Sequence, residues 1–385
     1  MFPLILVARP TLAAFAAMGV VWGTFAAVFP DLKAMLGLDE GQMGLLIFCT
    51  PLAAVATMLM APAIGVRLGR VALPVAVTLM ALALALPGQA ASVLLFPLAM
   101  MACGAATGLT DVLMNARVST LENERGVPLM NLTHAAYSFG YAGGAVMTGV
   151  LRGAEMSPGQ VTGTMAVVAL VLALGTWERD GTIRGLARPK DGTSGHLGWV
   201  PVIGGGIVLI AFLTENAAEN WSALHIEKTL GGSPQEGAMG PAALALTMGF
   251  ARLVGQGFAA RVNPVRLLCG GAVLSAMGAM VAAFAVTPAM AYAGFIVMGV
   301  GSSVVAPTAF SMVGQFADPA ARARAVARAT LYGYFGYFFG PPMLGLIAGQ
   351  FGLRMAFVFA AVMLLTVLVL APLVARAGQR AKVAR

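Results

Sequence analysis

Residues 139–144 of the chain, Phe-Gly-Tyr-Ala-Gly-Gly, return as residues 335–340, Phe-Gly-Tyr-Phe-Phe-Gly. The two copies lie 196 residues apart in a chain of 385, and repeated halves are a common way to build membrane transporters. Between the copies, the longest polar stretch contains several arginines and glycines, a composition typical of a flexible linker. We therefore predict two halves, residues 1–178 and 199–385, joined by a cytoplasmic linker at 179–198.

Composition makes the lipid bilayer the solvent for most of this chain. Hydrophobic residues make up 59% of it and charged residues 10%, whereas soluble domains carry about 25% charged residues. Windows of about 20 apolar residues, enough to cross a bilayer, predict an all-α membrane protein. The twelve predicted spans are 11–30, 41–64, 71–88, 92–116, 130–151, 161–177, 199–222, 239–259, 265–286, 289–313, 327–349 and 354–375.

Basic residues alternate between the loops in a way that predicts the orientation. If the N-terminus lies inside, 19 Lys and Arg residues fall on the cytoplasmic side, and only Lys33, Arg152, Lys228 and Arg354 fall outside. Positive charge is retained on the cytoplasmic side. This split predicts an even number of spans, with both termini in the cytoplasm of a bacterial cell and the spans in its inner membrane.

Other classes of protein are disfavoured by missing patterns. The net charge of +8 is spread over alternate loops, without the basic patch that nucleic-acid binding requires. The sequence has no Gly-x-Ser-x-Gly or His-Glu-x-x-His motif and no metal-ligand spacing of cysteines. We expect no enzyme, no cofactor and no metal, but a monomer whose partners are the bilayer, a small solute and the proton; a non-transporting sensor stays open.

The loop after the second span carries a family resemblance. Residues 65–70, Gly-Val-Arg-Leu-Gly-Arg, resemble a degenerate form of the loop signature of the major facilitator superfamily, with Val66 where the family usually has aspartate. The resemblance covers essentially the whole chain and implies twelve helices in two pseudo-symmetric bundles of six. It makes Arg67 and Arg70 candidates for a gating ion pair.

One stripe of the fourth span combines small and polar residues. Gly104, Gly108, Asp111 and Asn115 follow one another at helical spacing, so they share a face, and an ionisable group inside a membrane helix is a functional candidate. We predict Asp111 to be a proton-coupling carboxyl group. The alternative is a helix-end aspartate that pairs with Arg117 or is solvated.

The fourth and fifth spans together resemble the fucose:proton symporter branch of the superfamily. The resemblance rests on Asp111 with Asn115 four residues later, and on the following stretch that contains Asn131, His134 and Tyr137. It implies that Asp111 carries the proton and that Asn115 and Asn131 contact a sugar. His134 stands where the branch tends to have glutamine, and we predict that it lines the cavity with Tyr137.

A second acid is expected in the seventh span. The branch tends to have an acidic residue in its first helix, but here Trp22 occupies that region. Glu215 and Glu219 lie one helical turn apart, beside Asn216. We predict Glu215 as the deeper proton-coupling group and the others, with Trp22, as substrate contacts. For Glu219 and Trp221 the alternative is a solvated acid and an interfacial aromatic residue near the outer surface.

Two further spans supply candidates for the centre. Arg252 in the eighth span is either an ion-pair partner for a carboxylate or a side chain that reaches the interface by snorkelling. Tyr334 and Tyr337 in the eleventh span offer aromatic faces to a sugar ring, or simply pack against lipid and neighbouring helices.

These residues together predict a secondary transporter that takes up a small polar solute, such as a sugar, by alternating access. Because burial disfavours the charged form of a carboxyl group, Asp111 or Glu215 could take up a proton on one side and release it on the other. The alternative is a proton-driven exporter of drugs or apolar metabolites, whose usual proline-containing motif is missing at 140–144.

Overall fold

The computed structural model describes residues 2–184, 186, 198–259, 261–317 and 322–383, and over these residues the chain is helical. Its α-helices are α1 (Phe2–Leu36), α2 (Glu40–Ile47), α3 (Cys49–Leu68), α4 (Ala72–Leu84), α5 (Leu95–Arg125), α6 (Met130–Gly153), α7 (Pro158–Leu174), α8 (Val200–Leu224), α9 (Pro234–Ala259), α10 (Pro264–Ala283), α11 (Pro288–Phe316), α12 (Arg322–Phe351), α13 (Leu353–Leu365) and α14 (Val367–Val383).

Fourteen helices in the described residues form twelve membrane-crossing segments. One residue separates α2 from α3 and another separates α13 from α14, so each pair acts as one segment, and α8 continues through a π-helical turn, His225–Thr229. Each predicted span overlaps one segment, which confirms the predicted number. By length and composition alone, eight runs among the described residues qualify as spans, and one of them, Glu40–Leu84, has 45 residues.

That 45-residue run exceeds what one crossing needs, because about 20 helical residues span a bilayer. It is interrupted at Gly69, whose φ of +56° is a conformation that side chains with a Cβ rarely adopt. A short 3-10 turn, Gly69–Val71, then leads into α4. The run therefore contains two crossings.

The fourth segment is longer than predicted. Helix α5 ends at Arg125, where Gly126 adopts a left-handed conformation with φ +66°, whereas the predicted span ended at residue 116. An apolar window stops where charges begin, but a helix can continue into water if its polar residues find partners. Asp111 therefore lies well inside the helix and not near its end.

The repeated sequence packs the same way in both halves. A Cβ placed on Gly140 of α6 would lie 2.3 Å from the backbone oxygen of Ala16 in α1. The equivalent Cβ on Gly336 of α12 would lie 2.4 Å from the backbone oxygen of Leu209 in α8. Glycine thus allows two pairs of backbones to approach closely. The two equivalent crossings agree with the predicted pseudo-symmetric bundles.

The start of the predicted linker is docked against the first half. Glu178 accepts two hydrogen bonds from Arg117 at 2.8 Å, and the same guanidinium donates to the backbone oxygens of Asp180 and Thr182. Ile183 is 8% exposed and belongs to the core of that half. Residues 185 and 187–197 of the linker lie outside the described residues, and the two predicted boundaries between the halves and the linker stay a prediction.

Candidate functional site

A hydrogen bond between the halves marks the centre of the molecule. The hydroxyl of Tyr334 in α12 donates to Asp111 Oδ2 in α5 over a long 3.4 Å. Within α5, the Asn115 amide donates to the backbone oxygen of Asp111 at 2.9 Å and to its Oδ1 at 3.1 Å. The carboxyl group of Asp111 therefore lies at the interface between the two bundles, held by one side chain from each.

A second carboxyl group of the centre, that of Glu215, lies on α8 and faces an arginine of α9. Glu215 is 5% exposed, and its Oε1 is 4.0 Å from Nη2 of Arg252 in α9, a distance at the limit of an ion pair. Among the described residues, neither Glu215 Oε1 nor Arg252 Nε has a hydrogen-bond partner. Buried polar atoms are normally hydrogen-bonded, so this loose pair has unused donors and acceptors.

Tyr137 of α6 lies where these groups converge. Its hydroxyl is close enough to Glu219, Glu215, Arg252 and Asp111 for each of them to act on it electrostatically. Two of the acids and the arginine come from the second half, whereas Asp111 and Tyr137 come from the first. The structure thus brings the predicted acids together at one place between the bundles.

Aromatic rings surround this place. Tyr337 stacks on Phe212 with 4.7 Å between ring centroids, and Tyr334 lies 6.3 Å from Tyr337. From the first half, Trp22 and Tyr137 pack against the cluster of Tyr141 and Ala245. Tyr337 therefore packs against a helix of its own half, as the helix-packing alternative has it, whereas the Tyr334 hydroxyl reaches Asp111 of the first half.

Asn216, next to Glu215 on α8, packs within the second half. It is 6% exposed, and a Cβ on Gly340 of α12 would lie 3.3 Å from its Oδ1. Among the described residues this Oδ1 accepts no hydrogen bond. This amide oxygen is therefore a buried acceptor without a donor.

Other predicted site residues lie further from the centre. Asn131 is exposed in the first turn of α6, Arg67 is exposed in the last turn of α3, and Arg70 is exposed in the 3-10 turn that follows. Within the described part of the chain, neither arginine forms an ion pair. His134 is half-buried; its Nδ1 lies 2.9 Å from the Met130 backbone oxygen, and Arg252 acts on it electrostatically.

Two alternatives from the sequence are excluded by the contacts. Arg117 binds Glu178, so it is not the partner of Asp111. Trp221 has no exposed surface, packs on Phe29 with 5.3 Å between centroids and so is not an interfacial aromatic residue. The sequence placed it near a helix end, but α8 continues through the π-helical turn and covers it.

Sequence reasoning missed a charge cluster at the end of the bundle opposite the termini, which we call the far end. Arg152 of α6, with a side chain 1% exposed, binds Asp31 of α1 at 2.6 Å and Glu227 of the π-helical turn at 2.6 Å. It also donates to the backbone oxygen of Ala27 at 2.7 Å. One guanidinium therefore ties both halves together.

A second ion-pair cluster lies at the same end. Glu40 at the start of α2 binds Lys228 of the second half and lies 3.5 Å from Lys33 of the first. Helices α2 and α12 also pack closely next to this cluster, because a Cβ on Gly44 of α2 would lie 2.5 Å from the backbone oxygen of Pro341 in α12. These contacts close the far end. Their signal in the sequence was that Lys33, Arg152 and Lys228 are rare cations on the predicted outer side.

The candidate site contains no arrangement suited to a metal. In the described ranges, no group of three or more His, Cys, Asp and Glu side chains is placed to hold a metal ion. What the centre offers is chemistry of another kind: carboxyl groups that can change charge, one guanidinium, amides and aromatic faces.

Comparisons with known proteins agree with this architecture. Residues 203–384 match the family model of the major facilitator superfamily. An uncharacterized MFS-type transporter of Yersinia pestis is 31% identical over 361 residues, which cover 93% of each chain. Among solved structures, the nucleoside transporter NupG superposes with a TM-score of 0.76 at 13% identity, over 97% of this chain and 98% of that one.

A bacterial homologue of the human lysosomal transporter Spinster, in an inward-facing and unoccupied conformation, gives a TM-score of 0.75 at 16% identity, over 98% of this chain and 97% of that one. The match to the Yersinia pestis relative identifies the chain as a multi-pass membrane transporter, a class whose members are not enzymes. The chain belongs to the major facilitator superfamily, whose transporters bind small-molecule substrates within a membrane.

Proposed function

We propose that the protein is a proton-coupled carrier that takes up a small polar, sugar-like solute by alternating access between its two halves. One observation carries this proposal: the Tyr334 hydroxyl of the second half donates a hydrogen bond to Asp111 of the first, at a place where Glu215, Glu219 and Arg252 of the second half act electrostatically on Tyr137 of the first. Ionisable groups inside a membrane are costly and mark substrate or proton pathways. A centre built from both bundles changes whenever the bundles move relative to each other.

The orientation follows from the loop charges. Since positive loops stay in the cytoplasm, we place both termini inside and the far end outside. In that orientation, the Arg152 and Glu40 clusters join the two halves on the outer side, and this conformer is closed to the outside. A solute released from the centre would leave towards the cytoplasm.

Asp111 and Glu215 are the proposed proton carriers. Each lies in the interface with a weak partner: a long hydrogen bond from Tyr334 for Asp111 and a distant guanidinium for Glu215. A weakly paired carboxyl group can change its protonation state without loss of a strong ion pair. Rocking of the halves would expose each group to one side at a time, so proton movement would drive uptake.

The test uses purified protein in proteoliposomes and a solute chosen by thermal-shift screening of sugars, sugar acids, amino acids and drugs. Asp111→Asn should abolish solute-driven proton flux while solute exchange continues, because the amide keeps the shape but cannot release a proton. Asp180→Asn, at an aspartate outside the helices, is the matched control and should behave as the wild type. Unchanged coupled transport by Asp111→Asn would remove this residue from the mechanism.

The same vesicles separate uptake from the exporter alternative. With an inward proton gradient, a symporter accumulates the solute inside, whereas a proton-driven exporter reconstituted in the same orientation expels it. Net expulsion driven by the inward gradient would contradict the proposed direction.

A further inference from the structure

Glu219 is a carboxyl group of the centre that lacks an ion-pair partner among the described residues. It lies one helical turn after Glu215 on α8 and so on the same face. Among the described residues it forms no hydrogen bond or ion pair, although Glu215 and Arg252 act on it electrostatically. Asp111 and Glu215 are the proposed proton carriers, so the proposed coupling mechanism assigns no role to Glu219.

Tyrosines from both halves lie within electrostatic reach of Glu219. Its charge acts on the hydroxyls of Tyr137 and Tyr141 in α6 and of Tyr337 in α12. Trp22 packs in the same cluster as Tyr137 and Tyr141. Rings whose faces surround a space attract cations within about 6 Å of their centroids and recognise organic ammonium groups.

The charges at the centre favour a cation. Asp111, Glu215 and Glu219 face a single guanidinium, that of Arg252, near the Tyr137 hydroxyl. Arg252 lies nearest Glu215, at 4.0 Å, so its charge is compensated there and not at Glu219. A positively charged ligand would therefore be attracted and an anion repelled.

Unused acceptors next to this group point to a ligand that donates hydrogen bonds. Glu215 and Asn216 are both more than nine-tenths buried, yet within the described part of the chain Glu215 Oε1 and Asn216 Oδ1 have no donor. A buried acceptor without a partner costs free energy. Both atoms are on the turn of α8 that precedes Glu219.

We propose that Glu219, with Tyr137, Tyr141, Tyr337 and Trp22 around it, binds an ammonium group of the transported solute, which is therefore a small amine-bearing polar molecule. This inference rests on the proposed function, because it assigns the substrate class of the same site. The carboxylate supplies the charge, the rings supply cation–π contacts, and the acceptors of Glu215 and Asn216 lie beside them to receive N–H or O–H groups.

The test measures binding to the purified protein in detergent, without any proton gradient. The probes are tetramethylammonium and the matched pair glucosamine and glucose, which differ in one amine. Tetramethylammonium and glucosamine should raise the melting temperature, and glucose should leave it within error. In Glu219→Gln, glucosamine should bind roughly 10- to 100-fold more weakly, the loss expected for a hydrogen bond to a charged group. Tetramethylammonium, which has no N–H donor, should also bind more weakly, because the carboxylate that attracts its charge is lost.

Glu155→Gln, at an exposed glutamate of the far end, is the matched control and should keep wild-type affinity. The melting temperature of ligand-free Glu219→Gln shows whether this variant folds. If Glu219→Gln is unstable, Tyr337→Phe takes its place; this variant keeps the aromatic ring and should retain most of the affinity for glucosamine and tetramethylammonium. Equal stabilisation by glucose and glucosamine, no response to either amine, or unchanged amine affinity in Glu219→Gln would overturn the proposal. Because the assay needs no coupling, loss of proton flux in Asp111→Asn tests the carrier mechanism separately.

Discussion

At the scale of single residues, burial separates two arginine–glutamate pairs near the linker. Arg117 has a side chain 4% exposed and binds Glu178 at 2.8 Å. Arg184 has a side chain 72% exposed and lies 3.3 Å from Glu124. Removing one partner of a buried pair costs about 3–5 kcal/mol, whereas an exposed pair contributes about 0–1 kcal/mol.

We therefore predict that Arg117→Met lowers the free energy of unfolding by about 3 kcal/mol or more, because it leaves Glu178 and two backbone oxygens without their donor. Arg184→Met is the matched control and should cost less than about 1 kcal/mol. Denaturant unfolding in detergent micelles, followed by tryptophan fluorescence, measures both. Equal stability of the two variants would show that the linker does not depend on Arg117.

Single residues also show what the sequence could predict about the site. Asp111, Glu215 and Glu219 stood out because charges are rare in apolar spans, and the structure gathers all three near Tyr137. The stripe of Asp111 and Asn115 was confirmed as a hydrogen-bonded pair. The partners of Arg117 and Trp221 were not predictable, because they depend on how the linker and the first helix fold back onto α5 and α8.

At the scale of helices, glycine positions decide which surfaces meet. Gly140 and Gly143 are three residues apart on α6, but a Cβ on Gly140 would lie 2.3 Å from the backbone oxygen of Ala16, and a Cβ on Gly143 would have no atom within 4 Å. The same substitution therefore probes a crowded and an open position of one helix.

Gly140→Ala should destabilise the protein by about 1–3 kcal/mol, the range for overpacked sites, since α6 must move away from α1. Gly143→Ala should be neutral or stabilising by up to about 1 kcal/mol, because alanine favours a helix over glycine. Thermal unfolding of both variants in one detergent checks the order. A Gly140→Ala protein as stable as Gly143→Ala would show that α6 and α1 do not pack this closely.

Helix number was predictable, but helix ends and breaks were less so. The apolar windows found all twelve segments because bilayer thickness fixes how many apolar residues a span needs. They ended the fourth span at residue 116, because apolarity does not report the polar contacts that extend α5 to Arg125. The break at Gly69 and the π-helical turn at His225–Thr229 depend on local backbone geometry, to which a hydropathy window is blind.

At the scale of the whole molecule, the far end joins residues that are remote in the sequence. Arg152 binds Asp31 and Glu227, which are 121 and 75 positions away, and Lys228 binds Glu40 across 188 positions. Local patterns cannot reveal such pairs. Arg152 and Asp31 both lie in the first half, whereas the Arg152–Glu227 and Lys228–Glu40 pairs join the two halves, so these two pairs belong to one conformation and would separate when the far end opens.

Arg152→Gln is therefore expected to shift the protein towards a conformation with an open far end. The variant leaves Asp31 and Glu227 as two carboxylates facing each other across the interface. A loss of about 3 kcal/mol from this conformation changes the ratio of two states roughly 100-fold. Arg354→Gln is the matched control, because Arg354 donates to the Ala283 backbone oxygen within the second half.

Spin labels on Glu155→Cys and Val286→Cys, in a background without native cysteines, report the distance between the two halves at the far end. Both positions are exposed and belong to different halves. Double electron–electron resonance should show a longer population in Arg152→Gln and the wild-type distribution in Arg354→Gln. If the distance distribution of Arg152→Gln matches that of the wild type, the guanidinium does not hold the far end closed. In that case the helix packing of Gly44 against Pro341 is sufficient to close it.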